Sequence, residues 1–289
     1  MKIRYALPAL LAVGALALTG CTNDDTAATK GSDSASTSKS IVTFDDIKKA
    51  GVLVIATDAE YPPNEYKDEK GEPTGWGVDL ANAVAEKLGV EPEWEIMGFD
   101  SIMPRIEEGV VNMGSSSFTD NAKRQETVDF VNFLNAGSQW AAPTGTDVDP
   151  ENACGLTIAV QQGTVQHTDE LPARDQKCKD DGQPGIEILP FEGQPEVTNA
   201  VINGQAQAFS ADSPVTGDAV AKTDGALHLV GDLFDAAPYG FAVQKDSGMA
   251  EEVQKALQAL MDDGTYLDIL TQAGIESGAL PEATINAGK

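Results

Sequence analysis

The sequence predicts an α/β protein of two lobes, each built on a mostly parallel sheet. From residue 41 onward, short runs of β-branched residues alternate with amphipathic helical stretches, which is typical of βα units. Two such series occur, and a polar stretch that carries Pro and Gly, 141–151, separates them. A long amphipathic stretch after the second series indicates that the chain returns to pack on the first lobe.

The first series begins with a buried strand at 52–57 (VLVIAT). A helix is predicted at 78–88, because its apolar residues share one face and Gly89 provides a C-terminal stop. Further strands of this series are expected at 93–97, 110–114 and 128–133.

The second series has a predicted helix at 196–203. Its strands are expected at 156–160, 186–189, 207–210 and 227–230. A last strand, 239–244, precedes a long helix at 249–262 whose apolar residues follow the 3.6-residue period. The chain therefore crosses twice between the lobes, and a cleft is expected at the carboxyl ends of the strands, where open sheets bind ligands.

The composition narrows the class of partner. The 289 residues include 19 Lys+Arg and 46 Asp+Glu, which gives a formal net charge of -27. Such an excess of carboxylates repels phosphate backbones and anionic headgroups, so it excludes nucleic acid and a polybasic membrane patch. With only His167 and His228, the chain has little material for His-based catalysis or a multi-His metal site. We expect a small soluble partner, no metal and no cofactor.

The N-terminal 20 residues predict an export signal. Lys2 and Arg4 precede an apolar run at 6–18, which is short for a membrane span and ends in small residues before Cys21. The segment resembles a bacterial lipoprotein signal, which implies cleavage before Cys21 and attachment of acyl chains such as palmitate there. An uncleaved anchor or plain secretion is the alternative. Residues 21–40 are expected to form a lipid-anchored flexible tether on the outer surface of the cell membrane.

Two further cysteines, Cys154 and Cys178, lie in the part expected to be exported. Lipidation of Cys21 leaves no odd thiol, and the compartment is oxidising, so a disulfide between the two is the favoured interpretation. Metal binding or redox chemistry is the alternative. It lacks a CxxC spacing, and the nearby ligand residues are only His167 and Glu170.

Four segments together resemble a known family. They are 51–88, 99–104 (FDSIMP), 115–130 (SSSFTDNAKRQETVDF) and 263–279 (DGTYLDILTQAGIESGA). In this order and spacing they resemble the polar amino-acid binding proteins of bacterial ABC importers, extracellular solute-binding protein family 3. The resemblance implies a type II periplasmic-binding-protein fold of two α/β lobes joined by a two-strand hinge. The implied boundaries are a signal peptide at 1–20, a first lobe at 41–138, a second lobe at 139–238 and a return to the first lobe at 239–289.

A free amino acid is a zwitterion, so a dry cleft must offer a fixed cation to its carboxylate and an anion to its ammonium. Arg124 lies five residues before Asp129, as the carboxylate-binding arginine of the family does, and a guanidinium matches both carboxylate oxygens. Asp212, at a strand end of the second lobe, resembles the aspartate that takes the ligand's ammonium. The alternatives are a solvated arginine and an aspartate that only caps the helix beginning at Ser213-Pro214.

Hydroxyl and backbone groups extend this predicted site. Ser117 and Thr119 match family positions whose hydroxyls help to hold the α-carboxylate and α-amino groups. The loop Gln162-Gly163-Thr164 resembles the second-lobe loop whose backbone N–H groups and hydroxyl reach the carboxylate, as a helix N-terminus binds an anion. The alternative is that each hydroxyl only caps a helix or a turn.

Three residues match family positions around the ligand's side chain. Tyr61 and Phe99 would be aromatic walls around its aliphatic part, with plain core packing as the alternative. Asp58 is able to pair with a cationic side chain, and the acidic surface favours the approach of a cation. Relatives that bind glutamine resemble the chain at Asp58, so the resemblance leaves the side chain of the ligand open.

The sequence departs from the family pattern at three places. Asn64 stands where an aromatic residue commonly follows Tyr-Pro-Pro, and Gly77 stands where Gly-Phe-Asp-x-Asp-Leu has its first aspartate. The segment 121–123 (NAK) replaces the usual Thr-Pro-Glu before the arginine. The Asn64 change bears on side-chain specificity, whereas the spacing from Arg124 to Asp129 is kept.

The predicted function is that of a non-enzymatic, lipid-anchored receptor. It captures a polar amino acid, with cationic ones among the candidates, and delivers it to the permease and ATPase of an ABC importer, acting as a monomer. One alternative is a cyclohexadienyl-dehydratase-like enzyme on the same fold, with Glu60 or Glu192 as the acid or base. Another is a sensor subunit that signals amino-acid availability. The sequence carries no GxSxG nucleophile elbow, P-loop or metal-ligand set.

Overall fold

The computed structural model describes residues 41–289. The predicted signal peptide, Cys21 and the tether, residues 1–40, lie outside the described residues. Within the described range, no helix is both long enough and apolar enough to cross a membrane.

Strands and helices alternate along most of the chain. The strands are β1 (Val52–Thr57), β2 (Glu60–Tyr61), β3 (Glu65–Lys67), β4 (Pro73–Thr74), β5 (Glu91–Ile96), β6 (Met113–Thr119), β7 (Val128–Pro143), β8 (Thr157–Gln161), β9 (Glu187–Phe191), β10 (Ala208–Asp212), β11 (Leu227–Gln244) and β12 (Ala279–Ile285). The α-helices are α1 (Phe44–Ala50), α2 (Trp76–Leu88), α3 (Phe99–Glu107), α4 (Leu171–Asp180), α5 (Gln194–Ile202), α6 (Ser213–Lys222), α7 (Met249–Asp263) and α8 (Thr265–Gln272).

Most strands belong to one mixed sheet of order β5-β1-β6-β11-β7-β10-β8-β9, with β12 paired to β7. The strands β5, β1 and β6 form one parallel group, and β10, β8 and β9 form another. The long antiparallel strands β7 and β11 lie between the groups. We call β5-β1-β6 with the helices packed on it the first lobe, and β10-β8-β9 with its helices the second lobe. The predicted two-lobe α/β fold with a two-strand connection is confirmed.

The strand β11 corrects the prediction of separate strands at 227–230 and 239–244. The segment between them, GDLFDAAP, carries turn-forming residues, yet it remains part of a strand paired with β7. Register shifts on either side of Phe234 absorb the extra residues. Asp235 takes a positive φ of 48° within this irregular stretch. Bulges therefore accommodate the turn-forming residues without ending the ladder.

The first-lobe core forms between the sheet and the helices α2 and α7. Leu80 and Val84 of α2 share this core with Val253 and Leu257 of α7, and all four side chains are buried. The helix α7, which follows β11, thus packs in the same core as α2. Gly89 ends α2 with a left-handed φ of 70°, the conformation that such a C-terminal stop requires.

A disulfide joins Cys154, just before β8, to Cys178 on α4. The two residues lie in a second-lobe core with Trp140 and Leu171. The predicted pairing is confirmed. The two cysteines are 24 positions apart, and closing a loop of this size contributes about 3 kcal/mol to stability in the chain-entropy model.

Some elements differ from the prediction. The strand expected at 110–114 is β6, which begins only at Met113, while Val110 is exposed. The helix α3 contains Pro104, a residue that weakens a helical pattern. The strands β2, β3 and β4 form a small separate sheet. Segments of two or three residues are too short to show a period, so the sequence did not predict them.

Candidate functional site

The candidate site lies where the parallel strands of both lobes end. Asp58 directly follows β1, and Thr119 is the last residue of β6 in the first lobe. Gln161 ends β8 and Asp212 ends β10 in the second lobe. Because the carboxyl ends of parallel strands meet at one edge of a sheet, the fold brings these polar residues together.

The cavity between the lobes is lined by most of the predicted ligand-binding residues. Its lining is Tyr61, Phe99, Ser117, Thr119, Arg124, Gln161, Thr164, Val165, Gln166 and Asp212. The free space among these side chains, including the part open to solvent, is about 240 Å³. Of the predicted residues, Asp58 and Gly163 lie outside the lining and contact residues that belong to it.

Arg124 begins a short 3₁₀ turn between β6 and β7 and is only 8% exposed. Its Nη1 donates to the Thr119 carbonyl at 2.8 Å, and its Nη2 donates across the cleft to the Gly163 carbonyl at 3.1 Å. The guanidinium also lies 5.6 Å from the Phe99 ring centroid and 5.8 Å from that of Phe118. The alternative of a solvated arginine therefore does not describe this residue.

The changed segment 121–123 supports Arg124. The Asn121 side chain accepts a hydrogen bond from the Arg124 backbone N–H at 2.9 Å. Burial lowers the pKa of Arg124, while the negative charge of Asp212 opposes that shift. A guanidinium carries five N–H donors, so bonds to two carbonyls leave donors for a further acceptor.

Asp212 occupies the N-cap position of α6, but its side chain does not cap the helix. One carboxylate oxygen accepts from the Tyr61 hydroxyl at 2.9 Å, and the other accepts from Gln166 Nε2 at 2.7 Å. Burial raises the pKa of Asp212, and the hydroxyl of Tyr239, the Gln166 amide and the Tyr61 hydroxyl oppose the rise. The structure therefore directs this carboxylate to the cavity rather than to the helix end.

The two predicted aromatic walls differ in their packing. Tyr61 comes from the first lobe, yet its ring belongs to a second-lobe core with Ala159 and Phe209. Phe99 stacks on Phe118 with ring centroids 4.6 Å apart and remains partly exposed. Tyr61 thus combines core packing with a place in the cavity, whereas Phe99 covers the guanidinium of Arg124.

Behind Ser117 lies a buried network that the sequence did not reveal. Ser117 has a positive φ of 51°, and its Oγ donates to the two Glu65 oxygens at 3.1 and 3.0 Å. Asn64 Nδ2 donates to the same Oγ at 2.9 Å, and Trp76 Nε1 donates to Asn64 Oδ1 at 2.9 Å. Glu65 is 0% exposed, and burial raises its pKa to about 8. The departure at Asn64 thus belongs to a polar network that supports Ser117.

Asp58 is buried beside the cavity and accepts from Gln161 Nε2 at 2.6 Å. Burial raises its pKa to about 7, although the bond from Gln161 lowers it, and the charge of Glu60 raises it further. The predicted pairing of Asp58 with a cationic side chain would therefore take place in a poorly solvated environment, where the attraction is strong.

The backbone and hydroxyl groups of the loop 162–164 already form hydrogen bonds within the protein. The Gly163 N–H donates to His167 Nδ1 at 3.1 Å, while the Gly163 carbonyl faces Arg124. The Thr164 hydroxyl donates to the Gln161 carbonyl at 2.8 Å. To bind an anion as predicted, the Gly163 N–H would have to give up its hydrogen bond to His167.

Sequence reasoning missed Gln161 and Gln166, which are 2% and 1% exposed and line the cavity. Each donates its amide N–H to a carboxylate, and each side-chain carbonyl oxygen has no hydrogen-bond partner. Gln161 could have been found from its place at the end of β8. Gln166 lies in a π-helical turn, Gln166–Glu170, which the sequence gives no reason to expect.

The residues considered for enzymatic or metal chemistry lie apart from this lining. Glu60 pairs with Lys67 at 2.8 Å, and the exposed Glu192 contributes its carbonyl to a bond from Gln161. Between residues 41 and 289, no three His, Cys, Asp or Glu side chains are grouped so that they could hold a metal ion.

Comparisons with known proteins identify the family of the chain. Residues 53–274 fit the family model of the bacterial extracellular solute-binding proteins, family 3. The arginine-binding protein ArgT of Corynebacterium glutamicum is 42% identical over 242 residues, which is 83% of this chain and 80% of that protein.

Solved structures agree with the sequence comparison. An ancestral arginine-binding protein bound to arginine aligns at 32% identity with a TM-score of 0.70, covering 77% of this chain and 97% of its own. The ancestral amino acid-binding protein AncCDT-1, a precursor of cyclohexadienyl dehydratase, aligns at 30% identity with a TM-score of 0.68, covering 79% of this chain and 98% of its own. By their names, these three relatives are binding proteins. The chain therefore belongs to the bacterial extracellular solute-binding proteins of family 3.

Proposed function

We propose that this protein captures a polar amino acid between its two lobes and delivers it to an ABC importer. The observation that carries the proposal is a pair of opposite fixed charges beside one buried cavity. Arg124 comes from the first lobe and Asp212 from the second. A zwitterion is the ligand that satisfies both charges at once.

In this proposal, Arg124 binds the α-carboxylate of the amino acid. Its guanidinium is held by two carbonyls and two aromatic rings, so it keeps one orientation and has N–H donors to spare. Thr119 and Thr164 supply hydroxyls in the same lining. A fixed guanidinium in a poorly solvated site favours a carboxylate strongly, because water does not compete for the donors.

Asp212 binds the α-ammonium in this proposal. Tyr61 and Gln166 hold one carboxylate oxygen each, which fixes the plane of the group. A ligand that carries both charges links Arg124 of one lobe to Asp212 of the other. It therefore favours the arrangement in which the lobes are together, and a ligand with only one charge does so less.

We infer that the first ligand to test is arginine, since two of the relatives are named for binding it.

We also infer a role without catalysis. Glu60 and Glu192, the candidate acids or bases, lie outside the cavity lining, and Glu60 is paired with Lys67. The relation of AncCDT-1 to a dehydratase makes recovery of unchanged ligand a necessary control.

The delivery step rests on family membership and on the N-terminal pattern. We propose that a lipid anchor at Cys21 holds the monomer at the outer surface of the membrane, beside a permease and its ATPase. The lobes would comprise 41–138 with 239–289, and 139–238. These ranges place the crossings within β7 and near the middle of β11.

Isothermal titration of the purified protein tests the proposal. The protein is first unfolded and refolded to remove carried-over ligand, then titrated with the twenty amino acids, ornithine, citrulline and cystine. We expect tight one-to-one binding of a few polar amino acids, each recovered chemically unchanged. No binding by any of them would refute the assignment, and an altered product would favour the dehydratase-like enzyme. Co-purification with a permease would separate delivery from signalling.

A further inference from the structure

Glu65 is a buried carboxylate that has no cationic partner among residues 41–289. Its neighbours are uncharged: Ser117 donates to both of its oxygens, and Asn64 donates to Ser117. The negative charges of Asp58 and Asp212 raise its pKa further. An ionised carboxylate in such surroundings is unfavourable, so the site stabilises either a proton on Glu65 or a cation nearby.

The backbone around Gly77 leaves the space that this carboxylate occupies. A Cβ atom at Gly77 would lie only 2.1 Å from Glu65 Oε1. The Gly77 N–H donates to the Asn64 carbonyl at 3.0 Å, which fixes the two segments against each other. The absence of a side chain at position 77 thus allows Glu65 to reach Ser117, a residue of the cavity lining.

The charges near the cavity do not balance. Asp58, Glu65 and Asp212 are buried on or beside its lining, and Arg124 is the cation in that lining. A zwitterionic ligand brings one charge of each sign, so it leaves this imbalance unchanged. A ligand with an additional positive charge reduces it.

The hydrogen-bonding groups show the same imbalance. Gln161 and Gln166 turn their N–H groups to Asp58 and Asp212, and their carbonyl oxygens have no partner. Both residues line the cavity, so two of its acceptor groups have no donor. A guanidinium or ammonium side chain of a ligand carries N–H donors for such acceptors.

Given the proposed function, we propose that Glu65, with Asp58, is the counter-charge for a cationic ligand side chain, and that Glu65 releases a proton to solvent as this cation enters. The O–H bond of the Glu65 carboxylic acid breaks, the carboxylate remains in the protein, and the proton passes to the buffer. The cation need not touch Glu65, because charges interact over several ångströms in a poorly solvated interior.

The direction of the pH effect follows from the groups that face Glu65. Asp58 and Asp212 are acidic, and Tyr61 and Tyr239, whose pKa values lie well above the ordinary value, remain neutral. With its pKa near 8, Glu65 is mostly protonated at neutral pH, and a nearby cation lowers that pKa. Binding of a cationic amino acid is therefore expected to strengthen as pH rises toward 8, while binding of a neutral analogue is not.

Titration calorimetry with L-arginine and L-citrulline tests the proposal. Citrulline has nearly the same shape and the same α-groups, but its ureido end is uncharged. Each titration of the purified protein is repeated at pH 7 in phosphate and in Tris, whose ionisation enthalpies differ, so that the difference in heat gives the number of protons released. We expect about one proton with arginine and none with citrulline.

The variant Glu65→Gln removes the charge and keeps the shape. We expect it to reduce the proton release and to lower arginine affinity by at least about tenfold more than citrulline affinity. Glu69→Gln, an exposed glutamate of the same segment, is the matched control. Asp58→Asn, measured in the same way, shows how much of the proton release comes from each of the two carboxylates.

The outcomes separate this inference from the proposed function. If arginine and citrulline both bind and release equal numbers of protons, Glu65 is not linked to ligand charge and the inference is wrong. The same follows if Glu65→Gln folds and leaves the preference for arginine intact. If neither ligand nor any other amino acid binds, the proposed function fails and this inference with it. Should Glu65→Gln not fold, the comparison of the two ligands on the unaltered protein still decides.

Discussion

Two regions of the candidate site differ in how their charges are balanced. In the zwitterion region (Arg124, Asp212), one fixed cation accompanies one fixed anion. In the carboxylate region (Asp58, Glu65), two buried acids lie near each other with no ion pair to either in the described part of the chain. The first arrangement suits the groups that all free amino acids share. We propose that the second responds to the side chain, the group in which they differ.

The two regions differ in the free energy that is needed to bury their charged groups. A balanced pair stabilises itself partly, because each charge lowers the cost of burying the other. Two buried acids that form no ion pair do not, so burial favours their protonated forms. General affinity is therefore expected from the first region, and selectivity with pH dependence from the second.

We expect Arg124→Ala, in the zwitterion region, to cause the largest loss of ligand affinity. The ligand carboxylate would lose its partner in a desolvated site, which costs about 2 to 5 kcal/mol, or at least about thirtyfold in affinity. Titration calorimetry with arginine measures the loss. Arg105→Ala, which removes an exposed arginine paired with Glu108, is the control and should bind normally. An unchanged affinity in Arg124→Ala would exclude Arg124 from the site.

The carboxylate region should make the ligand-free protein less stable as pH rises. The pKa of Asp58 is about 7 and that of Glu65 about 8 in the folded protein. Unfolded carboxyl groups lose their protons near pH 4, so between about pH 4 and 8 the folded protein holds more protons and its free energy of unfolding falls. We expect a loss on the order of 6 kcal/mol between about pH 5 and 8 in urea unfolding, from the two groups together. Glu65→Gln should flatten this profile, and a rise over the range would contradict the assignment.

Asp212→Asn should weaken binding while sparing the fold. Losing the charge that faces the ligand ammonium is expected to cost about 2 kcal/mol of binding free energy. Since the Asp212 side chain does not cap α6, the ligand-free Tm should stay within about 3 °C of the original. Asp218→Asn, on the same helix, controls for a general effect of the substitution. A large fall in Tm would instead support the capping role.

Tyr61→Phe should have the smallest effect. The change removes the hydroxyl that donates to Asp212 and accepts from its backbone N–H, but it keeps the ring in the second-lobe core. We expect a loss of about 1 kcal/mol in binding, or roughly fivefold in affinity. Tyr66→Phe, in the adjoining strand β3, is the matched control. Equal affinities of Tyr61→Phe and the original protein would show that Gln166 alone suffices to hold Asp212.

The two regions also differ in how well their residues were predicted from the sequence. Arg124 and Asp212 were predicted because residue type, spacing and position at strand ends are properties of short segments. Glu65 was missed because it lies in NEYKDEK, a polar run that looks like an exposed turn. What buries it is Ser117, 52 positions away, together with the space left by Gly77. No local pattern records such a contact.

The fold shows a similar limit at β11. Its turn-forming residues predicted two strands, but pairing with β7 continues through them by bulges. Pairing is decided by the partner strand, since the ladder hydrogen bonds come from residues about a hundred positions away. Helices such as α2 and α7 were predicted nearly to their ends, because their periodicity and stop residues are local.

The sequence by itself determined the two-lobe α/β class, the disulfide pairing, the family and the residue types of the zwitterion region. These depend on periodicity, composition and short motifs, which neighbouring residues specify. Only the tertiary structure decided that Gln161 and Gln166 line the cavity and that Glu65 is buried against Ser117, a residue of that lining. The physical reason is that burial sets both the pKa of a carboxylate and the need of a polar atom for a partner, and burial arises from residues distant in sequence.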